Sequence, residues 1–214
     1  QNELYSSARR IFHNGSIKSG GRWYGGWTDF ETHQRLSFTI NDNPVVQVDV
    51  NAMILSLLSS MTGKPMHMIG VFKDIYKPVL TKICEIANAR DKLKQVIMEL
   101  TSSGNPYIEK PFLGSDILEN VDEFIYIRDL CLQAYPALKC LDNEYFNFTN
   151  ALSYHEANIL TQTLINLKEM GIVAYPIHDC VIVRLGDEFE AVETFKKVFK
   201  EYVFSFQARN DLPR

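Results

Sequence analysis

Two pairs of short β-branched runs, 36–40 with 45–50 and 172–177 with 180–185, stand on either side of a long stretch patterned for helices. Turn formers join each pair, Asn41-Asp42-Asn43 in the first and His178-Asp179 in the second, so each reads as two strands with a tight connection. A chain built this way must combine α and β structure. Met53, Leu57 and Met61 recur every four residues and predict a helix starting just after Asp49, which closes a strand. After Gly63-Lys64-Pro65, residues 72–88 and 90–100 read as helical, the latter with Leu93, Ile97 and Leu100 on one face. Ser102-Ser103-Gly104-Asn105-Pro106 stops it. A less regular, acidic and largely helical stretch runs to about residue 151. Ala157, Leu160, Leu164 and Leu167 then mark an amphipathic helix ended by Gly171, and Val192, Phe195, Phe199 and Tyr202 a closing one.

The 214 residues are enough for one domain with a real core, and at 46% hydrophobic and 22% charged they fit a globular chain. No run approaches the roughly 18 apolar residues of a membrane span, so a soluble protein with no membrane partner is expected. The formal charge of −4 removes the simplest argument for a nucleic-acid-binding domain, but it is unevenly spread. Residues 1–40 carry net +2 and residues 107–146 net −5, so a polyanion should meet the first segment and avoid the second. Cys84, Cys131, Cys140 and Cys180 lie far apart, with no Cys-x-x-Cys pair and no export signal, which predicts reduced thiols and an intracellular protein.

Asp49 and Asp179 are the centre of the functional argument. Each adjoins apolar strands that should bury it, and an unpaired buried carboxylate is expensive, a cost that a shared cation removes. Carboxylates suit Mg²⁺, and two such ions can clamp both oxygens of a phosphoryl transfer. The competing reading is that both simply end strands in turns, where Asp is common. Arg90, Lys94 and Met98 recur at i, i+4 and i+8, a face able to hold a triphosphate or, with Lys92 nearby, merely a solvated one.

Together these pieces resemble the polymerase core of family A DNA polymerases and phage-type single-subunit RNA polymerases. The first motif of that family, an aspartate at a strand end before a helix, is similar to Val46-Gln47-Val48-Asp49-Val50-Asn51. Its Arg-x-x-x-Lys fingers helix is similar to residues 90–98, and its His-Asp hairpin to Tyr175-Pro176-Ile177-His178-Asp179-Cys180-Val181. Gly21-Arg22 resembles the family's Gly-Arg at the template-primer minor groove, and Asp74-Ile75-Tyr76 a short element before the fingers helix. The likeness runs from about residue 20 to 202.

The resemblance implies an α+β fold: a palm-like antiparallel sheet with a helical fingers-like insertion and no thumb or exonuclease domain. Residues 1–35 would form a basic and aromatic start of the palm, 36–62 the palm with its first aspartate, 63–150 the insertion, and 151–214 the rest of the palm. It implies template-directed nucleotidyl transfer, with Asp49, Asp179 and the Val50 carbonyl holding two Mg²⁺ ions. Arg90 and Lys94 would hold the β- and γ-phosphates, Lys94 would protonate pyrophosphate, and Met98 and Ser102 would follow on the nucleotide face. Arg22, Arg35, His155, Glu156 and His178 would meet the nucleic acid, although His155-Glu156 would equally well cap a helix. Trp23, Tyr24 and Trp27 read as a core plug rather than a stacking platform.

The chain departs from the family in three places. Ser102 stands where a tyrosine closes the motif, Cys180 where glutamate or serine follows His-Asp, and Ile54 where DNA enzymes carry glutamate and RNA enzymes glycine. Ile54 would exclude a 2′-hydroxyl, which favours deoxynucleotides as substrates, while a DNA or RNA template stays open. With no thumb expected, further domains or a replication partner would supply the grip on primer-template. The rival classes are a non-catalytic palm-like nucleic-acid-binding or assembly module, a metal-dependent phosphodiesterase, and a zinc site whose ligand spacing is poor.

Overall fold

In a computed structural model of the chain, the described residues are 7–64, 74–111 and 120–208. They form a mixed α and β structure that divides into two compact units. The first comprises residues 1–53 and 150–205, the second residues 54–149 and 206–214.

The first unit is built on a four-stranded antiparallel sheet in the order β3-β4-β6-β5, from β3 (Thr39–Ile40), β4 (Asn43–Asp49), β5 (Ala174–Ile177) and β6 (Cys180–Arg184). The two expected hairpins are both present, and they join edge to edge through β4 and β6. Asn41 and Asp42 turn the first with φ of 51° and 62°. A two-residue turn whose twist matches that of the strands needs this left-handed geometry at both positions, and Asn and Asp tolerate it best after glycine. Strand alternation puts Val45, Gln47 and Asp49 on one sheet face with Cys180, Ile182, Tyr175 and Ile177. Ile40, Val45, Ile177, Cys180 and Ile182 form a buried cluster there, with Trp27 and Phe38 packed against it.

A separate ribbon of β1 (Arg9–Phe12) and β2 (Gly20–Tyr24) completes the strands of this unit. Gly20 and Gly21 have φ of 75° and 86°, and the rings of His13 and Phe12 lie where their Cβ atoms would be. Only glycine accepts both conditions at once. The long helix α6 (Phe148–Glu169) buries Leu152, Ile159, Leu160 and Leu167, and α7 (Glu188–Ala208) buries Ala191, Phe195, Val198 and Phe199.

Two strand expectations are shortened. Residues 36–38 are not strand, because α1 (Thr32–Arg35) precedes them and Ser37 donates to the Gln34 carbonyl, continuing a turn. Ile172 closes α6 instead of opening β5. Its N–H donates to the Leu167 carbonyl at 2.9 Å across Gly171, whose φ is 77°, which is the Schellman termination that caps orphan carbonyls.

The second unit is helical, with α2 (Met53–Thr62) beginning at its edge, then α3 (Lys77–Leu80), α4 (Ala89–Ser103) and α5 (Val121–Ala134). Leu55, Leu57, Leu58, Val79, Leu93, Leu100, Phe124 and Ile127 are fully or nearly fully buried. The expected helix over 72–88 is replaced by α3 and successive turns. Its first two residues and Pro65 lie outside the described residues, and Pro78, which lacks an N–H, favours a helix start rather than a helix interior. Asn88, with φ of 55°, separates these turns from α4, and Asn120 caps α5 by accepting from the Glu123 N–H at 2.6 Å. No helix among the described residues is long and apolar enough to cross a membrane.

Candidate active site

Register brings the two aspartates together in the first unit. Asp49 stands opposite Cys180 on β6, and Asp179 immediately precedes Cys180, so both residues lie at the same end of the β4–β6 pair. An interstrand step of about 5 Å and one residue along the strand leave their Cα atoms roughly 6 Å apart. The expectation that strands bury them is corrected: Asp49 and Asp179 are exposed beyond the buried Val48 and Cys180. Solvated carboxylates carry no desolvation cost for a cation to remove. Their place at one end of the β4–β6 pair, rather than their burial, is what makes the two residues notable.

Backbone geometry is unusual beside each aspartate. His178, the first residue of the two-residue β5–β6 turn, has φ of 43°, and Ala52, three residues after Asp49, has φ of 55°. A left-handed alanine costs roughly 1 kcal/mol, and such outliers concentrate where surrounding structure fixes a functional segment.

A basic and acidic surround lies behind the pair. Glu156 on α6 is 1% exposed, and Arg22 on β2 donates from Nε to its Oε2 at 3.0 Å. Burial pushes the Glu156 carboxyl up to about 7; the Arg22 guanidinium opposes that rise and the charge of Asp179 adds to it. Loss of water around the His178 ring lowers its pKa, helped by Arg22 and Arg35 and opposed by Asp179. The Cys180 thiol is pushed up to about 12, chiefly by burial and then by Asp179, with Asp49 and Glu156 adding to the rise. Arg22, Arg35, Asp49, Glu156, His178 and Asp179 therefore form one electrostatic neighbourhood. Arg35 is held by the Phe30 carbonyl and by Thr32 Oγ1, leaving its buried Nε without a hydrogen-bond partner.

Glu156 is a correction to the sequence reading. It lies two turns inside α6, so it caps nothing, and its burial means it touches a ligand only through Arg22. Its place in the buried stripe was visible, since it stands four residues before Leu160. His155, half-buried, pairs through Nδ1 with Tyr202 Oη at 3.0 Å. Trp27 does act as a plug, edge-on to Tyr175 with its Nε1 donating to the Pro176 carbonyl at 2.7 Å. Trp23 donates to Thr161 Oγ1 on α6.

The second unit carries the nucleotide-face candidates on its own helix. Arg90, Lys94, Met98 and Ser102 follow one another every four residues along α4, Arg90 half-buried and the rest exposed. Arg90 is already engaged: its Nη1 lies 2.6 Å from Asp74 Oδ2 and its guanidinium 5.1 Å from the Tyr76 ring centroid. That hydrogen bond holds the Asp74 carboxyl below its usual range. Lys92 does not mark a solvated face; it is 2% exposed and pairs with Glu123 at 2.9 Å. Ile54, near the start of α2, is half-buried.

Among the described residues no group of three or more His, Cys, Asp or Glu side chains converges as a metal cage. The donor set at the strand ends is two carboxylates, and Val50, which follows Asp49, is buried. Hard oxygen donors so few in number fit Mg²⁺, which keeps several waters and takes one or two carboxylates plus substrate phosphates. The sequence matches no protein-family model and no curated protein.

Proposed function

We propose that this protein is a nucleotidyltransferase that extends a primer on a nucleic-acid template, with deoxynucleotides as its preferred substrates. The observation that carries the reading is the β4–β6 register, which aligns Asp49 and Asp179 at one sheet end with Arg22 and Arg35 close by. It is supported by the sequence resemblance, in which the same two aspartates occupy the first motif and the His-Asp hairpin.

In this reading Asp49, Asp179 and the Val50 carbonyl hold Mg²⁺, which when bound supplies charge neutralisation at the reacting phosphate. Arg22, held by Glu156, presents the outer part of its half-exposed guanidinium to the nucleic acid, and Arg35 adds a second cation. His178, whose pKa is lowered by lost hydration and then by Arg22, orients a polar group of the primer end. By the resemblance alone, Lys94 and Arg90 on the second unit are the candidates for triphosphate recognition, with Lys94 the candidate proton donor to pyrophosphate. Met98 and Ser102 offer an apolar and a small polar surface next to that face.

The test is extension of a labelled primer-template with Mg²⁺ and either nucleotide set. Extension by the wild type is expected, with losses of at least a hundredfold in Asp49→Asn and Asp179→Asn and unchanged melting temperatures. Binding without extension would instead identify a nucleic-acid-binding module, and near-native rates in either variant would remove the aspartates from the chemistry.

A further inference from the structure

From Ser7 to Tyr24 the chain has no acidic residue, yet it carries Arg9, Arg10, Lys18 and Arg22 as well as His13, in a protein of net charge −4. All of these lie in the β1–β2 ribbon and the loop that joins its strands. The loop is tied by backbone turns, His13 N–H to the Ser19 carbonyl at 2.8 Å, Ser16 N–H to His13 at 3.1 Å and Ser19 N–H to Ser16 at 3.2 Å. One ribbon face is fastened to α6. The opposed residues Arg10 and Trp23 both reach it, Arg10 Nη2 to Asn158 Oδ1 and Trp23 Nε1 to Thr161 Oγ1, each at 3.0 Å.

Alternation along β1 then turns Arg9 and Ile11 to the other face, opposite Tyr24 and Arg22; of these Arg22 also reaches α6 through Glu156, while Arg9 stands clear at the strand's start. Arg9 and Lys18 are exposed, and among the described residues neither pairs with a carboxylate. Ile17, at the loop, is 76% exposed. The ribbon is therefore a cationic projection with its base anchored and its outward charges unneutralised.

We infer that the outward face and loop of the β1–β2 ribbon, through Arg9 and Lys18, grip the phosphate backbone of duplex nucleic acid. The inference rests on the proposed polymerase reading and deepens it, because it names a contact separate from the aspartate pair. Charge complementarity selects the occupant: a narrow ribbon with no acidic residue from 7 to 24, in a chain of net charge −4, matches a polyanionic rod rather than a broad anionic lipid surface. A two-stranded ribbon is also of a size that the roughly 12 Å major groove admits.

The test uses the full chain and a fluorescent primer-template duplex, with affinity measured by anisotropy across a salt series. Arg9→Ala/Lys18→Ala is expected to weaken binding about tenfold or more and to reduce the slope of log K against log salt by roughly 1.8, two phosphate contacts at about 0.9 each. Lys197→Ala, an exposed cation on α7, should change neither quantity. An unchanged slope in the double variant overturns the ribbon grip even where primer extension persists. A reduced slope in the double variant, with a wild type that never extends primers, keeps the ribbon grip and removes the polymerase reading. Capture by phosphatidylserine vesicles with no duplex binding overturns the inference in favour of a membrane surface, and equal weakening on single strands and duplex overturns its duplex specificity.

Discussion

Arg22 Nε donates to Glu156 Oε2 at 3.0 Å, joining a half-exposed guanidinium on β2 to a carboxylate that α6 buries almost completely. The pair is asymmetric. Arg22 can recover water if its partner goes, whereas Glu156 depends on Arg22 to remain ionised.

That asymmetry fixes a pH dependence. The Glu156 carboxyl is raised in the folded chain to about 7, so between about 4.5 and 7 the folded state holds a proton that the unfolded state has released. Stability is then fully present below the unfolded value and falls as pH rises through about 7, by an order of 2 to 3 kcal/mol. Glu156→Gln should flatten this fall while keeping an acceptor for Arg22. Urea midpoints at pH 5 and pH 8 measure it; a wild-type midpoint that changes across this interval no more than the variant's would show that Arg22 holds Glu156 ionised throughout.

The hairpins and most of the helices were legible because their signals are local: β-branched runs around turn formers, apolar residues every three or four positions, glycine at a helix end. What was not legible depended on pairing at long range. Nothing in residues 43–49 says that β4 pairs with β6, so the placing of Asp49 and Asp179 at one strand end is visible only in the register. Lys92 and Glu156 each stand four residues before a buried apolar residue of the same helix, Val96 and Leu160, so their burial had a periodic signal. Their partners, Glu123 and Arg22, had none. The 72–88 stretch failed for a local reason, since Pro78 and left-handed Asn88 interrupt a pattern that hydrophobicity alone would have continued.

On α4, the two cations are expected to respond in different ways. Lys94 has no ion-pair partner among the described residues, so Lys94→Ala should raise the nucleotide KM by roughly tenfold or more, the loss of one charge-assisted contact of about 1.5 to 3 kcal/mol. Asp74, on Arg90 Nη1, would compete with a phosphate for the guanidinium. Asp74→Asn should therefore lower the nucleotide KM while Arg90→Ala raises it, with little change in stability because the pair is well exposed. Steady-state kinetics on one primer-template decide the matter; a higher KM in Asp74→Asn would mean that the carboxylate positions Arg90 rather than competing for it.

Sugar choice is the last expectation, and it turns on Ile54. Its neighbours on α2, Met53, Leu55, Leu57 and Leu58, are at most 3% exposed, while Ile54 is only half-buried and so retains a surface that a ligand can meet. Ser102, where the family's tyrosine would stand, is too small to share a steric task. If Ile54 alone excludes a 2′-hydroxyl, Ile54→Ala should raise ribonucleotide use relative to deoxynucleotide by one to two orders of magnitude, since an overlap on the scale of a methyl group is worth roughly 1 to 3 kcal/mol. Alanine keeps the helix propensity that glycine would lose, and partial burial should hold the stability loss below the 2 to 5 kcal/mol typical of a core Ile→Ala change. The ratio of kcat/KM for the two sugars, read beside the melting temperature, separates the roles. A large loss of stability with an unmoved ratio would make Ile54 a packing residue of α2, whereas a moved ratio with modest destabilisation would make it the residue that meets the sugar.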